Sequence, residues 1–371
     1  MSSPKLEQAL GAELQEMSIA GALKGAETVI SAILPPDGDK GPRYLLEGAG
    51  DAAYLRMNSN SYLGMALRPD VIDAGEAAAR EFGAGPGAVR FISGTSTPHI
   101  ALEKRLAAFH GRAAAMIFSS AYATVMGILP PLIGPDSAVI SDALNHNCII
   151  NAIRLARPKQ THVYAHLDMV ELERALEAAS GDCNRAIVVT DGIFSMRGDH
   201  APLAGIVSLV RRFDDAFAEG AILVVDDSHG VGAFGVTGRG TEEHCAAQAD
   251  ILVGTLGKAF GVNGGYVTAQ PAVIDYLREK AALYIYSNPI TAGEAAAAAK
   301  AVEIVDGPQG TRLLGHLKQM TARLHAGILD LGLETIGGDH PIVPWMVRDT
   351  SRAVALVRHL FDSGVLATGL N

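Results

Sequence analysis

The sequence predicts an α/β protein built on a largely parallel sheet, and three observations carry that reading. From about residue 66 onward, helical stretches such as 99–110, 168–180 and 201–218 alternate with short β-branched runs, the pattern of strand–helix–strand units. The runs themselves ("AAMIFSS", "SAVISD", "THVYAH", "AIVVTDG", "ILVVDDS", "DILVGT", "GGYVTA") are apolar almost without interruption, as expected of strands covered on both faces. Finally, 49% of the 371 residues are apolar and only 19% are charged. That is enough to fill a sizeable core, and the length favours one large domain plus a smaller one.

Taken in order, residues 1 to about 34 are expected to form an amphipathic helix stopped by Pro35-Pro36, with "PPDGDKGPR" as a turn-rich linker. "YLLEG" and "AYLRMN" read as short strands around a turn. The α/β region follows, to about residue 290. After it come an Ala-rich helix, a helix near 312–331, a strand at "PIVPWMVRD", a helix at 351–362 and the start of a strand at "GVLATGLN". The expected domains are an N-terminal helix and linker (1–55), a large α/β domain (56–290) and a smaller, incomplete α+β domain (291–371).

Composition narrows the function. A net charge of −10 argues against general nucleic-acid or anionic-membrane binding. Cys148, Cys183 and Cys245 show no paired spacing, which fits free thiols in a reducing compartment. The N-terminal segment carries charges where a leader peptide has an apolar core, and "TAGEAAAAAKAVEIV" is broken by Glu294 and Lys300, so a cytoplasmic protein without a membrane span is expected.

Ligands of open α/β sheets bind beyond the carboxyl ends of the strands. Those ends carry Ser119-Ser120, Ser141-Asp142, Asp191 with Ser195 close by, Asp226 to His229, and Thr255 with Lys258. In "GTLGKAFGVNGG", Lys258 stands among glycines with few other polar side chains. It is either a phosphate clamp or a nucleophile of lowered pKa. A P-loop is excluded because Ala259 follows the lysine and the upstream spacing is wrong. Asp226 lies one strand–helix–strand unit before Lys258, so both can face one crevice. A carboxylate, an imidazole and a lysine together suit pyridoxal 5′-phosphate (PLP): the lysine binds the aldehyde, the carboxylate pairs with the pyridinium nitrogen and keeps the ring an electron sink, and a histidine stacks on the ring or bonds its phenolic oxygen. A metal reading of Asp226, Asp227 and His229 is weaker, because all three fall within four consecutive residues and no further pair has ligand spacing.

Six long motifs in order then resemble one family: "NSYLG", "GAVRFISGTSTPHIALEKRLAAFHG", "SDALNHNCIINAIRL", "TDGIFSMRGDHAPL", "VVDDSHGVGAFGVTGRGTEE" and "GTLGKAFGVNGGY". The chain resembles the α-oxoamine synthases, fold-type-I PLP enzymes that join an amino acid to an acyl-CoA. Within that family, "TDGIFSM", "GRGTEE", "TLGKAFG" and "YSNP" look most like the glycine C-acetyltransferase group. The resemblance implies that Lys258 carries the cofactor and acts as base, and that Asp226 holds the ring nitrogen. It places His229 and Ser195 at the phenolic oxygen, and His146 on the ring face, where it later polarises the thioester. It implies a phosphate site from the backbone N–H groups of Ala121 and Tyr122 with the Thr255 hydroxyl, completed by Ser287 and Asn288 of a neighbouring subunit in a homodimer. Asn60 is placed to meet the substrate carboxylate. Glycine with a short acyl-CoA is the expected substrate pair. A serine- or alanine-using synthase with a longer acyl-CoA is the first alternative, an aminotransferase or lyase the second, and a catalytically silent subunit the third. The sequence departs from the family at Ala121, where Gly is common, and at Asn147, Cys148, Asn151 and Ala152, where the pattern reads HAS…DG. The family's carboxylate-binding arginine falls beyond Asn371, and neither Arg90 nor Arg348 has a motif to replace it.

Overall fold

A computed structural model describes residues 3–21, 23 and 25–369. Its packing divides the chain into two units, one running to Ser59 and resuming at Arg348, the other Asn60–Val347.

The smaller unit starts with a helix at Pro4–Ile19 that buries none of its side chains, followed by strands β1 (Ile30–Leu34), β2 (Arg43–Leu46) and β3 (Ala53–Arg56). The helix expected over 1–34 is therefore two elements; residues 1, 2, 22 and 24 of that stretch lie outside the described residues. Gly21 and Gly25 take φ of +65° and +76°, a left-handed conformation that ends a helix, and the β-branched "TVISAI" beyond them is better suited to a strand.

In the larger unit all seven apolar runs are strands: β4 (Ala114–Phe118), β5 (Ser137–Asp142), β6 (Gln160–Tyr164), β7 (Arg185–Asp191), β8 (Ala221–Asp226), β9 (Ile251–Thr255) and β10 (Gly265–Ala269). They form one sheet in the order β4-β10-β9-β8-β7-β5-β6. β10 runs antiparallel to both of its neighbours, and the other pairings are parallel. Successive residues of β8 pack on opposite faces. Val224 joins Ile128, Leu129 and Ile149 on one side, while Leu223 and Val225 join Leu172, Leu203 and Ile206 on the other. Both faces are thus covered by helices, which is why the runs need no polar alternation.

The helix Ala292–Val305 packs against helices Pro69–Phe82 and Thr97–Phe109 of the same unit. The expected boundary near residue 290 therefore does not coincide with a break in packing. This Ala-rich helix buries Ala295, Ala298, Ala301 and Val302, and its small side chains allow close approach. "PIVPWMVRD" forms no strand, only an isolated bridge between Thr335 and Trp345, because Pro341 and Pro344 lack the N–H groups a ladder needs. The chain then returns to the small sheet, whose order is β1-β2-β3-β11, with β11 (Val365–Leu366) parallel to β3. Leu46, Tyr54 and Leu366 are its small core.

Candidate active site

Because β4, β5, β7, β8 and β9 run the same way, their carboxyl ends share one edge of the sheet. That edge opens into a cavity lined by residues from several strand ends and helix N-termini. Asp226 and Asp191 are delivered to it by the last residues of β8 and β7, which stand opposite each other in the register. Lys258 comes from the loop after β9, and Ser195, Ser228 and His229 from the loops after β7 and β8. Ala121, Tyr122, His146 and Cys148 come from two helix N-termini, those of Ala121–Leu132 and Asn147–Ala156. These two ends give the cavity a wall of partial positive charge, a natural anion site.

At the first helix, Ser120 is the N-cap and its hydroxyl accepts from the Ala123 N–H at 3.1 Å. The N–H groups of Ala121 and Tyr122 precede the residues that can pair within the helix. The approach is tight: a Cβ at Gly265 on β10 would sit 2.4 Å from the Ala121 nitrogen, so only glycine lets the strand lie against this helix start. At the second helix, His146 is the N-cap, and its Nδ1 accepts from the Cys148 N–H at 3.3 Å and touches the Cys148 Sγ at 2.9 Å. The same thiol reaches Asp226 Oδ2 at 3.7 Å. Beside it, Tyr122, Asn147 and Asn151 close a hydrogen-bonded triangle, with Tyr122 donating to Asn147 at 3.1 Å and Asn151 donating to Tyr122 at 2.7 Å. Two of the positions that depart from the family pattern thus belong to one network.

Asp226 Oδ1 accepts from the Ser228 N–H at 3.1 Å and from its hydroxyl at 2.5 Å. Burial lowers the Lys258 pKa from its usual value, and the nearby charges of Asp226 and Asp191 partly offset this. Burial, reinforced by the Lys258 charge, also holds His229 well below the ordinary imidazole range. His229 Nδ1 lies 2.8 Å from the Tyr62 hydroxyl, whose pKa burial raises. A phenol that keeps its proton can donate to Nδ1, which puts the ring hydrogen on Nε2. His340 fixes the backbone here. Its Nε2 donates to the His229 carbonyl at 2.8 Å and its Nδ1 accepts from the Ile342 N–H at 3.1 Å. Burial pushes its pKa down to about 4, consistent with that neutral tautomer.

The cavity therefore brings together Ala121, Tyr122, His146, Ser195, Asp226, His229 and Lys258 among the residues singled out in the sequence. The other four stand outside its lining. Thr255 accepts from the Gly257 N–H at 3.1 Å and donates to the Gly264 carbonyl at 3.3 Å, bracing the loop that carries Lys258. Ser287 and Asn288 follow the short helix Ala282–Ile285, and Asn60 is exposed, its Oδ1 3.5 Å from the Tyr62 hydroxyl. Arg90 is buried and pairs with Glu103 at 3.1 Å, so its charge is already matched. The sequence reading gave Cys148, Tyr62 and His340 no role. Tyr62 had a local signal in "NSYLG", whereas His340 lies more than a hundred residues from its partner and had none.

Comparison with known proteins identifies the family. Residues 52–371 match the family described as aminotransferase class I and II. The chain is 38% identical over 367 residues to 8-amino-7-oxononanoate synthase of Geobacter sulfurreducens, covering 98% of this chain and 89% of that one. With the Geobacter metallireducens protein of the same name it shares 40% over 335 residues, 90% of this chain and 83% of that one. Among solved structures, serine palmitoyltransferase of Sphingomonas wittichii superposes with a TM-score of 0.86 at 28% identity, covering 98% of this chain and 88% of that one. A structure described as SPT with PLP internal aldimine gives 0.85 at 26%, covering 99% and 88%. The fold is that of the fold-type-I PLP transferases. Within that class, the chain belongs to the aminotransferase class I and II family, in its α-oxoamine synthase branch.

One expectation is corrected. These relatives are 8-amino-7-oxononanoate synthases, not glycine C-acetyltransferases. Of the motifs that suggested the latter, "TDGIFSM" and "TLGKAFG" contribute Asp191, Ile193, Ser195 and Lys258 to the cavity lining, whereas "GRGTEE" and "YSNP" stand outside it.

Proposed function

We propose that this protein is a PLP-dependent acyltransferase that condenses an amino acid with an acyl-CoA and releases CoA. The observation that supports it most is the single cavity where Lys258, Asp226, His146 and His229 meet the N-terminus of the Ala121–Leu132 helix. That donor set fits PLP: an amine for the aldehyde, a carboxylate for the ring nitrogen, and a helix N-terminus with a glycine-permitted close approach for the phosphate. When bound, PLP supplies an electron sink that stabilises negative charge at the amino acid's α-carbon.

The chain's own groups do the rest. Lys258 Nζ, neutral closer to physiological pH because burial lowers its pKa, takes the α-proton. Asp226 holds the pyridinium nitrogen. His229, kept neutral by burial, and Ser195 hold the phenolic oxygen. His146, on the cavity wall, would contact the ring and polarise the thioester carbonyl. Ala121 and Tyr122 N–H groups, with Thr255, hold the phosphate; Ser287 and Asn288 reach it from a second subunit of a homodimer. Asn60 meets the substrate carboxylate. Relatives at 38–40% identity favour the 8-amino-7-oxononanoate synthase type, an amino acid such as alanine with a longer acyl-CoA, over glycine with a short one. Among the described residues no helix is long and apolar enough to cross a membrane.

The test is a matrix of glycine, alanine and serine against acyl-CoA chain lengths, read by free-thiol release. The expected result is amino-acid-dependent CoA release, strongest with alanine and a longer acyl chain. α-Keto acid formation without thiol release would instead assign an aminotransferase.

A further inference from the structure

Two carboxylates meet in the cavity, and only one has an assigned task. Asp191 and Asp226 end adjacent parallel strands in register, are 5% and 7% exposed, and both line the cavity. Their surroundings differ. Asp226 accepts two hydrogen bonds from Ser228 on Oδ1 and one from the Cys148 thiol on Oδ2. Asp191 Oδ2 accepts only the His146 N–H, at 3.2 Å, and its Oδ1 is buried with no partner. A buried carboxylate anion with an unfilled oxygen is costly, and two carboxyls sharing one site do not readily both ionise.

We propose that Asp191 stays protonated at neutral pH, so that the pair carries a single negative charge and that charge resides on Asp226. Asp142, at the end of β5, also faces Asp191. It accepts from the Leu144 N–H at 2.8 Å and the Leu167 N–H at 2.9 Å, with His166 Nδ1 at 2.9 Å, and its proximity disfavours a charge on Asp191. Lys258, from the loop after β9, favours ionisation of Asp191, but burial and the charge of Asp226 outweigh it and raise the carboxyl well above its ordinary range. The His146–Cys148 turn contributes one N–H and a thiol that burial keeps protonated. Asp191 is thus a positioning residue. It leaves Asp226 as the undivided counter-charge for a cationic ring nitrogen, which rests on the PLP reading, and it anchors the backbone of His146.

Infrared difference spectroscopy of the wild type against Asp191→Asn tests this, with and without PLP, beside a PLP titration of both proteins. The expected result is a carboxylic-acid C=O band at neutral pH in the wild type that is missing from Asp191→Asn. Asparagine keeps the shape, the neutrality and the acceptor for His146, so cofactor affinity should stay within about threefold, whereas Asp191→Ala loses the acceptor and should bind at least about tenfold more weakly. The band of Asp227, which burial also raises, to about 7, cancels in the difference. Loss of a carboxylate band in place of an acid band overturns the proposal, and so does an Asp191→Asn protein that binds PLP as poorly as Asp191→Ala. If the wild type binds no PLP, the PLP reading fails, yet the infrared band still decides the protonation of Asp191.

Discussion

Asp226 and Asp227 are neighbours in sequence at the end of one strand, yet they serve opposite sides of it. Asp226 opens onto the cavity. Asp227 is fully buried, takes the Thr241 N–H at 2.7 Å and its hydroxyl at 2.6 Å, and is wrapped by the loop that follows. Cβ atoms at Gly192, Gly230 and Gly240 would lie 2.2, 2.2 and 2.0 Å from its carboxylate, so the glycines of this segment are there to let the chain close around one acid. One carboxylate holds the loop, and the other, braced by Ser228 and Cys148, faces the cavity.

That comparison can be broken by swapping the effects. The largest expected effect is on chemistry. Lys258→Ala should lower CoA release by about a thousandfold or more with little change in unfolding. Asp226→Ala should weaken PLP binding at least about tenfold, with a smaller shift of the cofactor-free protein's urea midpoint than Asp227→Ala gives. Asp227→Ala should do the reverse. It removes two buried hydrogen bonds and leaves a void among glycines, for a loss of about 3 kcal/mol, measured by urea unfolding without cofactor so that ligand binding does not mask it. If Asp226→Ala proves the more destabilising of the two, the division of labour is wrong. Gly240→Ala should cost about 2 kcal/mol, since its φ is +86° and its Cβ meets the carboxylate.

A last contrast is in pH dependence. Burial raises Asp227 to about 7, so the folded chain holds a proton that the unfolded chain releases near the ordinary value of about 4. The stabilisation linked to that proton is fully present below about pH 4 and is lost as the pH rises through about 7, at a slope of at most about 1.4 kcal/mol per pH unit. Asp227→Asn should flatten this part of the stability profile; an unchanged slope would assign the titration elsewhere.

Much of the larger unit was legible because its signals are local. Uninterrupted β-branched runs marked all seven strands of the main sheet, and polar residues at their ends marked the cavity edge. What failed to show was non-local. The helix Ala292–Val305 joins the large unit through contacts with segments some two hundred residues earlier, which no periodicity reveals. "PIVPWMVRD" has β-branched residues, but its two prolines outweigh them. His340 reaches the His229 backbone from far downstream. The doublet Asp226-Asp227 showed that charges were needed at the strand end, but not that the two acids face different ways. That follows from strand alternation only once the depth of each face is known.

The central claim is that Lys258 and Asp226 share a PLP site. It is tested most directly by incubating the protein with PLP, reducing with borohydride and locating the modified residue by peptide mass spectrometry. The account predicts one pyridoxyl-phosphate label, on Lys258, that is lost in Lys258→Ala. A label on another lysine, or none at all, would contradict it.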